Sequence, residues 1–149
     1  MVVALPQGVR LTPLRIVPTP GGPVYHGIKA SDSGYAGFGE AYFTTVEQGA
    51  IKAWRMHHRM LSNLIVPAGS VRLRIIDDRD DSATRGRDLD IVLGPQNYQR
   101  LTVPPGLWLG FQGVGSGLNL MLNLASIAHD PSESETLPPD HPRFQHYAW

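Results

Sequence analysis

Glycine and proline constrain this chain more than any other feature of it. Sixteen glycines and 13 prolines are spread along 149 residues as punctuation rather than gathered in one place. Proline removes a helical hydrogen bond and glycine costs backbone entropy, so such spacing disfavours long helices and favours short strands separated by turns. The stretches between the breaks are AYFTTVE, AIKAWRMHH, NLIVPAG, SVRLRIIDDR, LDIVLG, QRLTVP, LWLGFQGV and LNLMLNLA. Most are rich in β-branched, aromatic or aliphatic residues, and SVRLRII alternates cleanly, with Val71, Leu73 and Ile75 opposite Arg72 and Arg74. Eight such segments predict an all-β antiparallel sandwich or barrel. Helix is expected only in a short piece near residues 45–49, and GVGSG (113–117) reads as a hairpin turn between strands.

The length suits one domain over residues 1–149, with an extended N-terminal arm (1–23) and an irregular, proline-rich C-terminal arm (132–149). Phe144, Tyr147 and Trp149 crowd the end of the second arm and are expected to dock, because three aromatics are costly to leave in water. Thirteen basic residues balance 13 acidic ones, which argues against nucleic acid or an anionic membrane as partner. No apolar run approaches the ~18 residues of a membrane span, and the expected location is the cytoplasm. Without cysteine, disulfides, thiolate catalysis and zinc–thiolate sites are excluded.

Chemistry concentrates in IKAWRMHHRM, residues 51–60. Read as a strand, alternation sends Ala53, Arg55 and His57 to one face and Trp54, Met56 and His58 to the other. An arginine and a histidine then share a wall of whatever the strand encloses.

Several blocks now form a pattern: FGEAYF (38–43), IKAWRMH (51–57), Gly69, IIDDRDDSATRG (75–86), LGPQNYQRLTVPPGLWLGF (93–111) and AHDPSE (128–133). In this order they resemble the dTDP-4-dehydrorhamnose 3,5-epimerase family of cupins, over roughly residues 34 to 149. The resemblance implies a cupin-type jelly-roll β-barrel, a homodimer, and a site inside the barrel. It also implies proton removal next to the ketone of a dTDP-4-keto-6-deoxyhexose, with no metal or organic cofactor. Sister enzymes move the ketone from C4 to C3 by the same enolisation. The general cupin frame would draw metal ligands from positions 55, 57, 62 and 109, which here are Arg, His, Ser and Leu. A single imidazole does not hold a divalent ion, so no metal is expected.

The chemical positions depart from the family while its scaffold blocks persist. Arg55 stands where the resemblance implies the histidine base, and a guanidinium does not give up its proton. Asn123 falls at or near the tyrosine acid, Leu109 replaces a second barrel histidine, and the base's partner aspartate belongs to a C-terminal segment with no counterpart expected here. Two catalytic candidates remain. His57 is the best available base, and Arg55 is a fixed cation that would also favour the neutral imidazole. Lys52 matches a substrate-holding arginine and Glu40 the carboxylate of F-x-E. Tyr42, Asn63, Arg74, Trp108 and Asn123 complete the candidate substrate-binding set.

Structural roles compete with these. Arg55 is equally readable as half of a buried ion pair with Glu40, Arg74 as decoration of a solvent face, and Trp108 as core. Asp77, Asp78 and Arg79 are expected to pin a turn by charge-assisted hydrogen bonds. The functional expectation is a cofactor-independent isomerase acting on a nucleotide sugar. The alternative is a repurposed barrel that cyclises or isomerises a hydrophobic, polyketide-type intermediate, or a catalytically silent binding barrel.

Overall fold

In the computed structural model, which describes residues 4–149, the β-rich runs become strands in the expected places. Residues 1–3 of the expected N-terminal arm lie outside the described residues. The eight anticipated strands are β4 (Glu40–Thr45), β5 (Ile51–His57), β6 (Ser62–Ala68), β7 (Val71–Ile76), β8 (Asp88–Leu93), β9 (Gln99–Val103), β10 (Trp108–Gly113) and β11 (Leu120–Ala125). Four short ones join them: β1 (Arg10–Pro13), β2 (Ile16–Val17), β3 (Val24–Tyr25) and β12 (Ser134–Thr136). Two five-stranded antiparallel sheets result, in the orders β1-β9-β6-β11-β4 and β12-β5-β10-β7-β8, with β2 and β3 as a separate ribbon. This is the jelly roll.

Hydrophobic alternation decides which faces meet. Val71, Leu73 and Ile75 of β7 are fully buried and pack with Leu64 and Val66 of β6, Leu101 and Val103 of β9, and Met121 of β11. One core thus fills the space between the sheets. Strand β6 is buried on both faces, because the segment around residues 27–34 covers its outer side, where Asn63 Nδ2 donates to the Gly34 carbonyl at 3.0 Å.

A second core lies outside. Trp54, Ile76, Trp108 and Phe144 are buried together, ringed by Met56, Leu137, Tyr147 and Trp149. The C-terminal arm therefore packs its aromatics onto the outer face of the β5-containing sheet. Arg74 fastens it, donating to the carbonyls of Tyr147 (2.7 Å) and Ala148 (2.8 Å). Gly110 permits the close approach: a Cβ there would stand 2.7 Å from both Ala53 Cβ and the Trp149 indole.

Three local expectations fail. Residues 45–49 are not helical, because Val46 is drawn into the core and Gln48 bridges Gly113 in parallel. The turn at 113–117 is not a hairpin: β10 pairs with β5 and β7, whereas β11 pairs with β4 and β6, so the chain crosses between sheets there. The C-terminal arm is not irregular throughout, since β12 pairs with β5.

Candidate active site

The cavity opens between the sheets, beside the core, with a volume of about 390 Å³. From β5 it is lined by Lys52, Arg55 and His57, and from the opposing sheet by Tyr42, Ser62 and Asn123. Leu64, Leu109, Phe111 and Met121 supply an apolar lining.

Strict alternation would set Lys52 on the face opposite Arg55 and His57. A bulge changes that. Leu109 of β10 faces Arg55 but Phe111 faces Lys52, so two steps on β10 span three on β5. The extra residue lies at Ala53–Trp54, whose peptide bond is cis. Ala53 and Trp54 pack against the outer aromatic cluster, and Lys52 swings to the cavity side. Lys52 Nζ is steadied there by the Thr45 carbonyl at 2.8 Å.

His57 is held by a residue that sequence reasoning missed. Glu133, buried between Pro131 and Ser134, puts Oε1 on Nδ1 of the imidazole. Its other oxygen accepts from the backbone amides of Arg59 (3.1 Å) and Met60 (3.2 Å). Burial pushes the Glu133 carboxyl up, but the hydrogen bonds from His57 and the two amides outweigh it and hold the group below the usual carboxylate range. An ionised carboxylate on Nδ1 fixes the ring's orientation and tautomer and leaves Nε2 as the nitrogen for a ligand. Glu133 ends the AHDPSE block, so the family pattern pointed to the segment, though not to this contact.

No family model matches this chain. It is 30% identical over 103 residues to a probable low-salt glycan biosynthesis epimerase of Haloferax volcanii, a match covering 67% of this chain and 66% of that protein, just under two thirds of its length. A solved dTDP sugar isomerase from Desulfovibrio desulfuricans is 38% identical, with TM-score 0.89 over 92% of this chain and 88% of that one. The chain belongs to the family of this dTDP sugar isomerase. A 3'-monoepimerase from Streptomyces bikiniensis, solved with dTDP-quinovose, shares the fold alone at 14% identity, with TM-score 0.83 over 96% of this chain and 76% of that one.

Within this family member, five of the nine anticipated site residues meet in the cavity: His57, Arg55, Lys52, Tyr42 and Asn123. Four do not. Glu40 begins β4 opposite Ala125, away from the lining. Asn63 is turned outward by alternation and takes a 2.6 Å hydrogen bond from Thr102 Oγ1. Arg74 clamps the C-terminal arm, and its guanidinium also lies near Asp88 (3.5 Å) and Asp90 (3.6 Å). Trp108 sits in the outer core beneath Phe144 and Arg143. The anticipated Arg55–Glu40 pair is not formed, and among the described residues Arg55 has no salt bridge; its charge is unspent. Trp54 is buried in the outer cluster and also forms part of the cavity wall, whereas Met56 packs against the cluster and does not line the cavity. His58 points to solvent and pairs with Glu135 at 3.1 Å.

Asp77 does pin its turn. Arg79 Nε (2.9 Å), Ser82 Oγ (2.6 Å) and Thr84 Oγ1 (2.6 Å) all donate to its fully buried carboxylate. Arg72 is engaged with Asp90 through two hydrogen bonds, of 2.8 and 2.6 Å. Among the described residues no three His, Asp or Glu side chains cluster as metal ligands.

Proposed function

We propose that this chain is a metal-independent isomerase of nucleotide-linked sugars, removing the proton next to the ketone of a dTDP-4-keto-6-deoxyhexose. The observation that carries the reading is His57, backed by the buried Glu133 carboxylate, facing the same cavity as two cations. Nε2 of His57 takes the proton, and the charge that the ring gains is offset by the buried carboxylate behind it. The electron pair moves to the carbonyl oxygen. Arg55, free of any protein partner among the described residues, is the cation for that developing enolate, while Lys52 is available to a phosphate oxygen. Family membership supports the substrate class, and a nucleotide-linked substrate argues for the cytoplasm.

A homodimer is part of the reading. Strand β4 has one free edge, and beside it Phe38 and Phe43 are 63% and 64% exposed, a combination that an exposed strand edge rarely leaves uncovered. Light scattering of the purified protein tests this directly.

Incubation with dTDP-4-keto-6-deoxyglucose in D2O tests the chemistry. Deuterium is expected at C3 or C5, and His57→Ala is expected to abolish its uptake. No uptake, together with no nucleotide-sugar binding by calorimetry, would overturn the reading. The apolar lining would then favour a hydrophobic intermediate.

A further inference from the structure

We infer that Tyr42 is the proton donor of this site, delivering from the wall opposite His57, so that the reaction inverts the carbon it deprotonates. The inference rests on the isomerase reading above and adds the second half of its proton traffic.

Asn123 on β11, at or near the place where the resemblance implies a tyrosine acid, supplies no acid. The register restores one. Asn123 on β11 lies directly opposite Tyr42 on β4, and both side chains line the cavity. Asn123 Nδ2 donates to the Tyr42 hydroxyl at 2.9 Å. A hydroxyl that is accepting from an amide keeps its own hydrogen for another acceptor. Among the described residues the Tyr42 hydroxyl donates to no protein atom, so that hydrogen is available to the cavity. Asn123 is a positioning residue. It sets the direction in which the phenol donates.

Placement decides the stereochemistry. His57 projects from the sheet containing β5 and β10, Tyr42 from the sheet containing β4 and β11. A substrate held between them loses a proton to one wall and regains one from the other. In the first step the C–H bond breaks, its proton goes to Nε2, and its electron pair makes the enolate. In the second the enolate carbon takes the Tyr42 hydroxyl proton on its opposite face and the ketone re-forms. Imidazolium and phenolate remain; the first loses a proton to water and the second gains one. A ketone shift along the chain needs no donor on the opposite wall.

The test separates proton exchange from inversion. With dTDP-4-keto-6-deoxyglucose in D2O, NMR reads both the label and the configuration of each carbon. In Tyr42→Phe the ratio of inverted product to exchanged substrate is expected to fall about 100-fold or more, the worth of a positioned acid, while label still enters through His57. In Asn123→Asp the carboxylate captures the phenol hydrogen, and the ratio is expected to fall in the same direction. Inversion at the wild-type ratio in Tyr42→Phe overturns the inference and leaves the base intact. An equal loss of label and inversion also overturns it, because a structural role lowers both together. Absence of label in the wild-type protein overturns the isomerase reading itself, and the inference with it.

Discussion

Glu133 and His57 meet across 76 positions of sequence, the carboxylate of one seated on Nδ1 of the other. In the proposed mechanism neither group would serve alone: the imidazole would be free to turn, and the carboxylate is buried out of reach of a ligand. Replacement by the isosteric amide, Glu133→Gln, keeps the shape but removes the charge that favours the imidazolium. Deuterium uptake is expected to slow by about 100-fold, within the usual range for a positioned general base. Stopped-time NMR at several pH values checks it, and an unchanged rate would make Glu133 a purely structural carboxylate.

Arg55 offers the opposite case, a cation with chemistry in reach and no structural partner among the described residues. Arg55→Gln is expected to lower kcat about 100-fold, the loss typical of one electrostatic stabiliser, without lowering the melting temperature. Turnover and calorimetric unfolding measured on one preparation distinguish this from the ion-pair role, in which the melting temperature would fall too.

The outer aromatic cluster is a stability element. Phe144 is 3% exposed and touches the rings of Trp54 and Trp108 at centroid distances of 5.3 and 5.4 Å. Truncation to alanine in such a setting costs about 3–5 kcal/mol, so Phe144→Ala is expected to lower the urea midpoint markedly. Because the cluster backs β5, the variant is also expected to lose deuterium uptake near its unfolding transition, which a temperature series will reveal.

Acid stability is expected to depend on Asp77. Burial pushes its carboxyl up, but the hydrogen bonds from Arg79, Ser82 and Thr84 prevail and hold it well below the ordinary carboxylate range. A depressed folded-state pKa contributes stability that is fully present above the unfolded value of about 3.9 and drains away as pH falls below it. Asp77→Asn is expected to cost about 3 kcal/mol at neutral pH, as breaking a buried ion pair does. It should also flatten the dependence of the urea midpoint on pH below about 4. Parallel denaturation series of the two proteins measure both effects.

Much of the fold was legible because its signals are local. Alternation in Val71, Leu73 and Ile75 names the buried face of β7 without reference to any other strand, and glycine and proline mark where each strand must stop. The same local rule correctly put Arg55 and His57 on one face. It misplaced Lys52, since a bulge is a property of two paired strands and appears only when β10 is laid beside β5. It also misassigned the turn at 113–117, because which strands pair across a jelly roll depends on contacts far apart in the chain.

The amino-acid sequence by itself determined that this protein is β-rich, that it lacks a metal-ligand set of cupin type, and that a histidine and an arginine stand side by side on one strand. Only the tertiary structure decided what those groups face. Glu133 behind His57, Asn123 beside Tyr42, and Arg74 on the carbonyls of the C-terminal arm are pairings of distant residues. Charge and hydrogen bonding act over a few ångströms of space, and until the sheets are assembled sequence separation says nothing about that distance.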